Sequence, residues 1–213
     1  MLIGVDFDGV IAEGTNQKIL WAKENLGINL DPMETSKDTS LPKFNKIRYT
    51  APDGSVLTGE AIYVYMMSQI AGTSRTLGYQ LLPYCKEALS ILMSEGHRIC
   101  VVTSRGKYGT DSGWGRKFLR VNNIPHDNYH RMKQDDKKDF LLKYGFDVMI
   151  DDSYNKLAPL SGTGIISLLF TTPWNASVKI DKPDIIRVKD WKDTLNVIEG
   201  IAGKRGEMKK KVA

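Results

Sequence analysis

The order of apolar and polar positions along the chain predicts a short buried strand, an irregular insertion, and then a regular alternation of helices and strands. The first strand covers residues 2–7, which are apolar except at Asp6, and it ends at Asp8-Gly9. From Pro83 onward, helical patterns alternate with short apolar runs, and glycines mark several boundaries. We expect helices over 83–95, 113–122, 135–144, 154–160 and 191–201, and strands over 98–103, 129–132, 146–150, 165–170 and 185–188.

This alternation predicts an α/β fold, a doubly wound parallel sheet with helices on both faces. Parallel neighbours need crossover connections, and helices of this length supply them. An insertion interrupts the pattern, with helices predicted near 15–27 and 59–71 and a small hairpin around the turn at 52–54. Because the chain then returns to the sheet, we expect the insertion to form a mainly helical cap over the carboxyl edge. The predicted division is a core of 1–12 and 81–203, a cap of 13–80 and a basic tail of 204–213.

Composition narrows the class of protein without identifying it. The chain has 213 residues, of which 41% are hydrophobic and 26% charged. This is enough for a sizeable core, and it excludes disordered, collagen-like and disulfide-dense proteins. No apolar run approaches the ~18 residues of a membrane span, and the early Asp6 argues against a signal peptide. Two cysteines make no disulfide framework, so we expect a reduced, cytoplasmic location and no membrane partner.

The net charge of +5 comes mainly from one end of the chain. Residues 204–213 carry a net charge of +4, and the rest of the chain is close to neutral. We therefore expect a frayed, solvated tail and no specific nucleic-acid binding. One alternative is a weak contact between the tail and a polyanion. Another is that the protein is a non-catalytic nucleic-acid binder that uses the tail.

Polar side chains follow three of the predicted strands at the points where they end. In open parallel sheets, ligands bind outside the carboxyl ends of the strands, so we expect these side chains to converge. The strand ends are Asp6-Phe7-Asp8, Thr103-Ser104-Arg105 and Ile150-Asp151-Asp152, and a lysine-rich helix start at 135–138 precedes the last of them. Four carboxylates at one edge repel one another unless a cation neutralises them. Oxygen ligands alone favour Mg²⁺.

Such a group of side chains suits phosphoryl transfer. An aspartate beside Mg²⁺ stays ionised and is able to attack phosphorus. A second aspartate two residues on is placed to protonate the leaving oxygen and then to activate water. Hydroxyls bind phosphate oxygens, and a lysine offsets charge on the nucleophile and the phosphoryl group. Taken singly, each motif has a simpler interpretation as a turn or helix cap, which their combination disfavours.

These motifs resemble, in this order, those of the haloacid-dehalogenase-like phosphatases. The resemblance rests on Asp6-Phe7-Asp8-Gly9-Val10, the strand end at Thr103, a helix lysine and Ile150-Asp151-Asp152, and the insertion lies where that superfamily places its cap. Two further segments look like the deoxyribonucleotidase-related branch, Val101-Val102-Thr103-Ser104-Arg105 and Phe170-Thr171-Thr172-Pro173-Trp174-Asn175. The resemblance implies an Mg²⁺-dependent phosphomonoesterase whose substrate is a small phosphate ester, in the first place a (deoxy)nucleoside monophosphate.

The resemblance also implies a role for each residue of the first two motifs. Asp6 would be the nucleophile and a metal ligand. Asp8 would be the general acid/base, and its backbone carbonyl would bind the metal. Thr103 and the adjacent Ser104 would bind phosphate oxygens.

The later motifs are less specific, and the assignment within them is more open. Asp152 aligns with the direct metal ligand and Asp151 with a supporting carboxylate behind it, and the reverse assignment stays open. Lys137 fits the spacing of the superfamily lysine, which would serve both catalysis and phosphate binding. Lys133 and Lys138 are its alternatives in this lysine-rich segment.

The substrate is the least determined part of the interpretation, because no residue of the cap matches a known base-recognition set. Candidate substrate contacts are Trp21, Arg48, Tyr49 and Arg105, although arginines at such positions more often form exposed salt bridges. A sugar phosphate is an alternative substrate. A phospho-accepting regulatory domain is an alternative function, which the order of the acidic motifs and the inserted cap disfavour.

Overall fold

The computed structural model describes residues 1–105, 113–132 and 137–212, and it describes residues 204–212 as helical backbone alone. The strands in these ranges are β1 (Leu2–Val5), β2 (Ala12–Glu13), β3 (Tyr49–Thr50), β4 (Val56–Leu57), β5 (Gln80–Leu81), β6 (Arg98–Thr103), β7 (Asn128–Arg131), β8 (Val148–Asp151), β9 (Ile166–Phe170) and β10 (Ile185–Val188). The α-helices are α1 (Thr15–Leu26), α2 (Lys37–Phe44), α3 (Glu60–Ala71), α4 (Cys85–Ser94), α5 (Trp114–Val121), α6 (Lys137–Lys143), α7 (Tyr154–Leu157) and α8 (Trp191–Val212). Short 3₁₀ turns cover Pro32–Glu34, Ser74–Gly78 and Ala158–Leu160.

A six-stranded parallel sheet forms the centre of the fold, in the order β10-β9-β8-β1-β6-β7. Within it, β1 lies between β6 and β8, with Val5 opposite Val101 on one side and Ile150 on the other. The chain builds β6 and β7 on one side of β1 and then crosses back to build β8, β9 and β10. Ligands bind at such a reversal of winding, outside the carboxyl ends of the strands. The predicted doubly wound α/β fold is confirmed.

Both faces of the sheet are covered, as the apolar strands predict for a parallel sheet. Successive side chains of a strand point to opposite faces. On one face, Val5, Val101 and Ile150 join a buried cluster with residues of α4, α5 and α8. On the other face, Val102 and Met149 pack with residues of α6 and α7. The strand ends are therefore the part of the sheet that remains available to a polar site.

The inserted residues 13–80, called the cap segment below, consist of α1, α2, α3 and short strands. Where this segment leaves and rejoins the core, β2 and β5 pair antiparallel, with Ala12 opposite Leu81. Trp21 and Ile62 of the cap segment are buried in the same apolar cluster that covers one face of the sheet. That residues 13–80 act as a separate unit stays a prediction.

Helix α2 is absent from the sequence prediction, which placed only a small hairpin between the predicted helices near 15–27 and 59–71. Pro42 lies inside this helix, where it has no N–H to donate, and this suggested a break. The helix starts with a capping box, in which Ser36 and Thr39 each accept a hydrogen bond from the backbone of the other. The predicted hairpin is present, as β3 and β4.

Helix α8 also differs from its prediction. The sequence was expected to leave the helix after Ile201 and to fray over 204–213, but the helical backbone continues to Val212. Lysine, arginine, glutamate and methionine, which make up much of this stretch, favour helix more than the interrupting glycines suggest. In the described ranges, no helix combines the length and apolarity that a bilayer crossing requires.

Trp191→Phe is expected to destabilise the fold. Trp191 begins α8, is fully buried, and its Nε1–H donates to the carbonyl oxygen of Val10 at 2.7 Å. Phenylalanine leaves that carbonyl buried without its partner, so the free energy of unfolding should fall by about 1–3 kcal/mol. Urea unfolding should show a lower midpoint at an unchanged slope. Trp114→Phe is the matched control, because half-buried Trp114 contacts Lys117 and touches no core carbonyl in the described residues. Equal effects of the two changes would contradict the role assigned to Trp191.

Candidate functional site

Asp6 and Asp8 lie on the loop that follows β1, at the carboxyl edge of the sheet. The backbone N–H of Asp6 donates to the carbonyl of Ile150 at 2.9 Å, which extends the strand pairing by one residue. Phe7 between them is fully buried, while both aspartates line the cavity described below. Gly9 has φ +76°, and a Cβ there would lie 2.4 Å from Asp152 Oδ2. Glycine is therefore required for the loop to approach Asp152.

Lys137 joins two carboxylates that come from different strands. Its Nζ donates to Asp6 Oδ1 at 2.7 Å and to Asp151 Oδ2 at 2.6 Å, and all three side chains are buried. The structure thus brings Lys137 to the place expected of the site lysine. Lys138 is exposed, and Lys133 lies outside the described residues.

Three carboxylates in this region are close enough to share a cation. Oxygens of Asp6, Asp151 and Asp152 all lie within 4.8 Å of one another. Burial, together with the nearby Asp151, raises the pKa of Asp152 to about 8. Burial also raises the pKa of Asp6 in spite of Lys137. For Asp151, burial is outweighed by Lys137 and Lys156, which hold its pKa below the usual value.

Asp151 and Asp152 are therefore in different environments, as the sequence assignment expects. Asp151 is fully buried, and besides Lys137 it accepts from the backbone N–H of Ser153 at 2.9 Å. Asp152 is half-buried and lines the cavity. This arrangement suits Asp152 as a direct metal ligand and Asp151 as the supporting carboxylate.

Thr103 and Ser104 end β6 and line the same cavity. Thr103 is buried, and its Oγ1 accepts from the backbone N–H of Arg105 at 3.3 Å. Ser104 Oγ is buried and has no hydrogen-bond partner among the described residues. A buried hydroxyl without a partner is costly, and a ligand oxygen would satisfy it. Both residues are thus placed as the predicted phosphate contacts require.

Arg105 is buried, so the expectation of an exposed salt bridge is wrong. Its Nε donates to Asp8 Oδ2 at 2.8 Å and its Nη2 to Asp8 Oδ1 at 2.9 Å. Burial acts to raise the pKa of Asp8, but the guanidinium outweighs it and holds that pKa below its usual value. Although Arg105 lines the cavity, the edge of the guanidinium that carries Nε and Nη2 is occupied by Asp8 rather than free for substrate.

The cavity has a volume of about 630 Å³ and lies between the strand ends and the cap segment. Its cap side is mainly polar and is formed by Lys18, Ser36, Lys37, Asp38, Thr39, Tyr63, Met67 and Ala71. The predicted substrate contacts Trp21, Arg48 and Tyr49 do not line this cavity, and their contact with substrate stays a prediction. Trp21 is buried and packs edge-on against Tyr49, with 5.8 Å between ring centroids, and Arg48 is exposed. A tryptophan and a tyrosine in a cap suggest contacts with a substrate, but here the two side chains pack against each other inside the cap segment.

Two lysines of the site were not among the sequence candidates. Lys156 Nζ lies 3.9 Å from Asp151 Oδ1, and neighbouring carboxylates outweigh its burial and raise its pKa. Lys18 of α1 reaches the cavity, where its Nζ donates to the carbonyl of Thr35 at 3.1 Å and burial lowers its pKa. Lys156 lies on α7, the short helix that directly follows Asp151 and Asp152, and a lysine so close after paired aspartates is the signal that would have indicated it. No signal in the sequence marks Lys18.

The rim of the cavity beside Asp152 is held by the loop that follows β9. Asn175 Nδ2 donates to the backbone carbonyls of Asp152 and Phe170, both at 2.7 Å. Trp174 Nε1 donates to Asp152 Oδ2 at 3.2 Å, and Lys18 Nζ lies 5.7 Å from the centroid of its ring. Trp174 and Asn175 thus fix the orientation of Asp152, and their place after a strand end agrees with a position at the rim of the site.

Comparison with solved structures supports the fold. A haloacid dehalogenase-like family hydrolase from Streptococcus pneumoniae is similar at 16% identity and TM-score 0.59, over 92% of this chain and 97% of that one. A predicted phosphoglycolate phosphatase from Haemophilus somnus gives 16% identity and TM-score 0.60 over the same shares. A D,D-heptose 1,7-bisphosphate phosphatase from B. bronchiseptica, complexed with magnesium and phosphate, gives 13% identity and TM-score 0.52 over 93% and 98%. No curated protein matches the sequence.

Comparison with protein families gives a match along nearly the whole chain. Residues 1–205 match the family described as 5′ nucleotidase, deoxy (pyrimidine), cytosolic type C protein. The match includes the strand ends that carry Asp6, Asp8, Thr103 and Asp152, and the fold is that of haloacid-dehalogenase-like hydrolases. The chain therefore belongs to this 5′-nucleotidase family and is a phosphatase of the haloacid-dehalogenase-like superfamily, a hydrolase of phosphate monoesters.

Proposed function

We propose that this enzyme is an Mg²⁺-dependent phosphatase that hydrolyses a (deoxy)nucleoside monophosphate through a phosphoryl group carried on Asp6. The observation that carries the proposal is the position of Asp6. This carboxylate is buried at the sheet edge, is bonded to Lys137 at 2.7 Å, and lies within 4.8 Å of Asp151 and Asp152. It also faces a cavity large enough for a small phosphate ester.

The donor set fits magnesium. The cluster offers only carboxylate oxygens, and burial, followed by the negative charge of Asp151, raises the pKa of Asp152. Asp6 and Asp152, with the backbone carbonyl of Asp8, would hold the ion, while Asp151 stays bonded to Lys137. When bound, Mg²⁺ would neutralise these carboxylates and draw charge from the phosphoryl oxygens. The magnesium and phosphate in one of the similar structures agree with this assignment.

The remaining chemistry is carried by side chains of the chain itself. An Asp6 oxygen attacks phosphorus, the bond to the ester oxygen breaks, and Asp8, which enters this step in its protonated form, gives that oxygen its proton. Asp8 then takes a proton from water, whose oxygen attacks the same phosphorus and releases phosphate, so that Asp6 is regenerated. Thr103 and Ser104 hold phosphoryl oxygens, and Lys137 offsets the charge that gathers on the transferring group.

The family match favours a nucleotide as the substrate, and the indole of Trp174 at the rim offers a surface on which a base can stack. A sugar phosphate is the second candidate, and it is favoured by the hydroxyl and charged side chains of Ser36, Lys37 and Thr39 on the cap side. The family description, together with two buried free cysteines, supports a cytosolic location.

The proposal is tested by phosphate release from a panel of nucleoside, deoxynucleoside and sugar monophosphates, with Mg²⁺ and with chelator. Turnover should require the metal, and the ranking across the panel decides between the two substrate classes. Asp6→Asn should lower kcat by at least about 10³-fold, because the nucleophile is lost. Asp139→Asn, which changes an exposed carboxylate on α6, is the control and should leave kcat unchanged.

Two results of this experiment would overturn the proposal. Wild-type turnover by Asp6→Asn would exclude Asp6 as the nucleophile. An acid-quenched wild-type protein that retains a hydroxylamine-sensitive acyl phosphate but releases no phosphate would support a phospho-accepting regulatory domain instead.

Lys137→Met and Lys138→Met form a matched pair of neighbouring lysines. Lys137→Met removes the cation that bridges Asp6 and Asp151, so kcat should fall by about 10²–10³-fold. Lys138 is exposed on the same helix, and its replacement should change kcat by less than about twofold. Steady-state rates under saturating substrate provide the measurement. Similar losses in both variants would show that general positive charge, not the bridge, is what matters.

Asp152→Asn should stabilise the metal-free protein at high pH and abolish stabilisation by Mg²⁺. The pKa of Asp152 is about 8 in the folded protein, above the ordinary value of 3.8. Between these two pH values, Asp152 is protonated in the folded state and ionised in the unfolded state. Metal-free stability should therefore fall as the pH rises from about 4 to about 8 in the wild type, and the Asp152 contribution to this fall should be absent in the variant.

Thermal melting with chelator and with Mg²⁺ measures both effects. Above pH 8, the metal-free variant should melt higher than the wild type, by about 2–4 °C for each kcal/mol of repulsion relieved. Mg²⁺ at about 100 times its Kd should stabilise the wild type by about 2.7 kcal/mol and the variant not at all. An undiminished response of the variant to Mg²⁺ would remove Asp152 from the ligand set.

A further inference from the structure

Arg105 holds both oxygens of the Asp8 carboxylate. The two contacts, from Nε at 2.8 Å and from Nη2 at 2.9 Å, form a bidentate pair in which the planar guanidinium fixes the plane of the carboxylate. The Arg105 side chain is 2% exposed, whereas that of Asp8 is 35% exposed toward the cavity. The carboxylate therefore faces the cavity from a buried support.

The guanidinium is itself held in place by two aromatic rings. Its central carbon lies 4.1 Å from the ring centroid of Phe7 and 5.0 Å from that of Tyr79. A cation close to the face of an aromatic ring is stabilised by the ring quadrupole, more so when water is excluded. Phe7 belongs to the loop after β1, and Tyr79 to the end of the cap segment. The arginine thus packs against both parts of the chain.

A hydrogen bond also links Arg105 to the cap segment. Its Nη1 donates to Thr76 Oγ1 at 3.2 Å. The same Thr76 hydroxyl is within 3.1 Å of the carbonyls of Ile70 and Ala71, at the end of α3. One connected network therefore runs from the last turn of α3 through Thr76 and Arg105 to Asp8.

We propose that Arg105 is a positioning residue that orients the Asp8 carboxylate for proton transfer and makes this orientation depend on the docked cap segment. The inference rests on the proposed function, in which Asp8 protonates the leaving oxygen. It assigns Arg105 a role through Asp8, in place of the direct substrate contact expected from the sequence.

The role predicts a loss that depends on the leaving group. An alkoxide, such as the 5′ oxygen of a nucleoside, needs a proton as it departs, whereas p-nitrophenolate departs with little help. The value of kcat/KM covers the steps up to departure of the leaving group. A misoriented Asp8 should therefore lower kcat/KM for a nucleoside 5′-monophosphate much more than for p-nitrophenyl phosphate.

The experiment measures kcat/KM on these two substrates for the wild type, Arg105→Lys and Arg105→Gln. Both variants should lose about 10²-fold on the nucleotide and less than about fivefold on p-nitrophenyl phosphate. Lysine keeps the positive charge but cannot donate two parallel hydrogen bonds to one carboxylate. A low rate in Arg105→Lys would therefore show that the orientation of Asp8, and not the charge beside it, is what matters. Guanidinium ion added to Arg105→Ala should restore part of the nucleotide rate. Arg75→Gln is the control, because Arg75 lies in the same 3₁₀ turn as Thr76 and pairs only with Glu24 among the described contacts.

Thr76→Val tests the link to the cap segment without touching Asp8. It removes the oxygen that accepts from Nη1, and a nucleotide-selective loss of about tenfold is expected from a small displacement of the carboxylate. Melting temperatures of all variants separate misfolding from misorientation, and Arg105→Lys provides the test if Arg105→Gln does not fold.

The possible outcomes separate the two proposals. Equal losses on both substrates with a raised KM would mean that Arg105 binds the phosphate, which overturns the positioning role. Unchanged kinetics of the Arg105 variants would overturn it as well. A wild type that hydrolyses neither substrate, nor any other ester of the panel, would overturn the proposed function, and this inference would fall with it.

Discussion

Repulsion among carboxylates at the ends of β1 and β8 is the constraint on which the site depends. Asp6, Asp151 and Asp152 place their oxygens within 4.8 Å of one another, and Asp6 and Asp151 are buried. Lys137 offsets part of this repulsion by donating to Asp6 and Asp151, and Lys156 lies close to Asp151. One carboxylate is still left with a strongly raised pKa. Carboxylates held this close together are typical of functional sites, where groups with perturbed pKa values cluster.

Asp6 and Asp8 are only two positions apart, but their negative charges are balanced by different cations. Asp6 is bonded to a lysine that comes from α6, whereas Asp8 is held by an arginine that comes from the end of β6. Burial prevails at Asp6 and raises its pKa, and the guanidinium prevails at Asp8 and lowers it. Two neighbouring carboxylates can thus differ in how readily they bind a proton, because each meets different partners. Phe7, the residue between the two aspartates, is buried in the core. Asp6 and Asp8 therefore both face the site, where each contacts a different cation.

The sequence predicted the core well because its signals are local. Apolar runs of four to six residues followed by aspartate or threonine marked β1, β6 and β8, and parallel pairing brought these ends together. The cap segment was harder, since Pro42 concealed α2 and since Trp21 and Tyr49 pack on each other instead of lining the cavity. Contacts such as those of Arg105 with Asp8 and Thr76 join residues far apart in the chain, and no periodicity records them. Local patterns thus predict which residues end the strands, but not which lysine or arginine side chain pairs with each carboxylate.

The antiparallel pairing of β2 with β5 has a consequence for how such proteins diversify. The two points at which the chain leaves and rejoins the core are hydrogen-bonded side by side, so the insertion enters through a single narrow neck. An inserted segment of another length or shape can be joined at this neck without a change in the register of the six central strands. The reacting groups and the groups that select the substrate can then be changed separately, provided that the contacts between the cap segment and the core, such as that of Arg105 with Thr76, are kept.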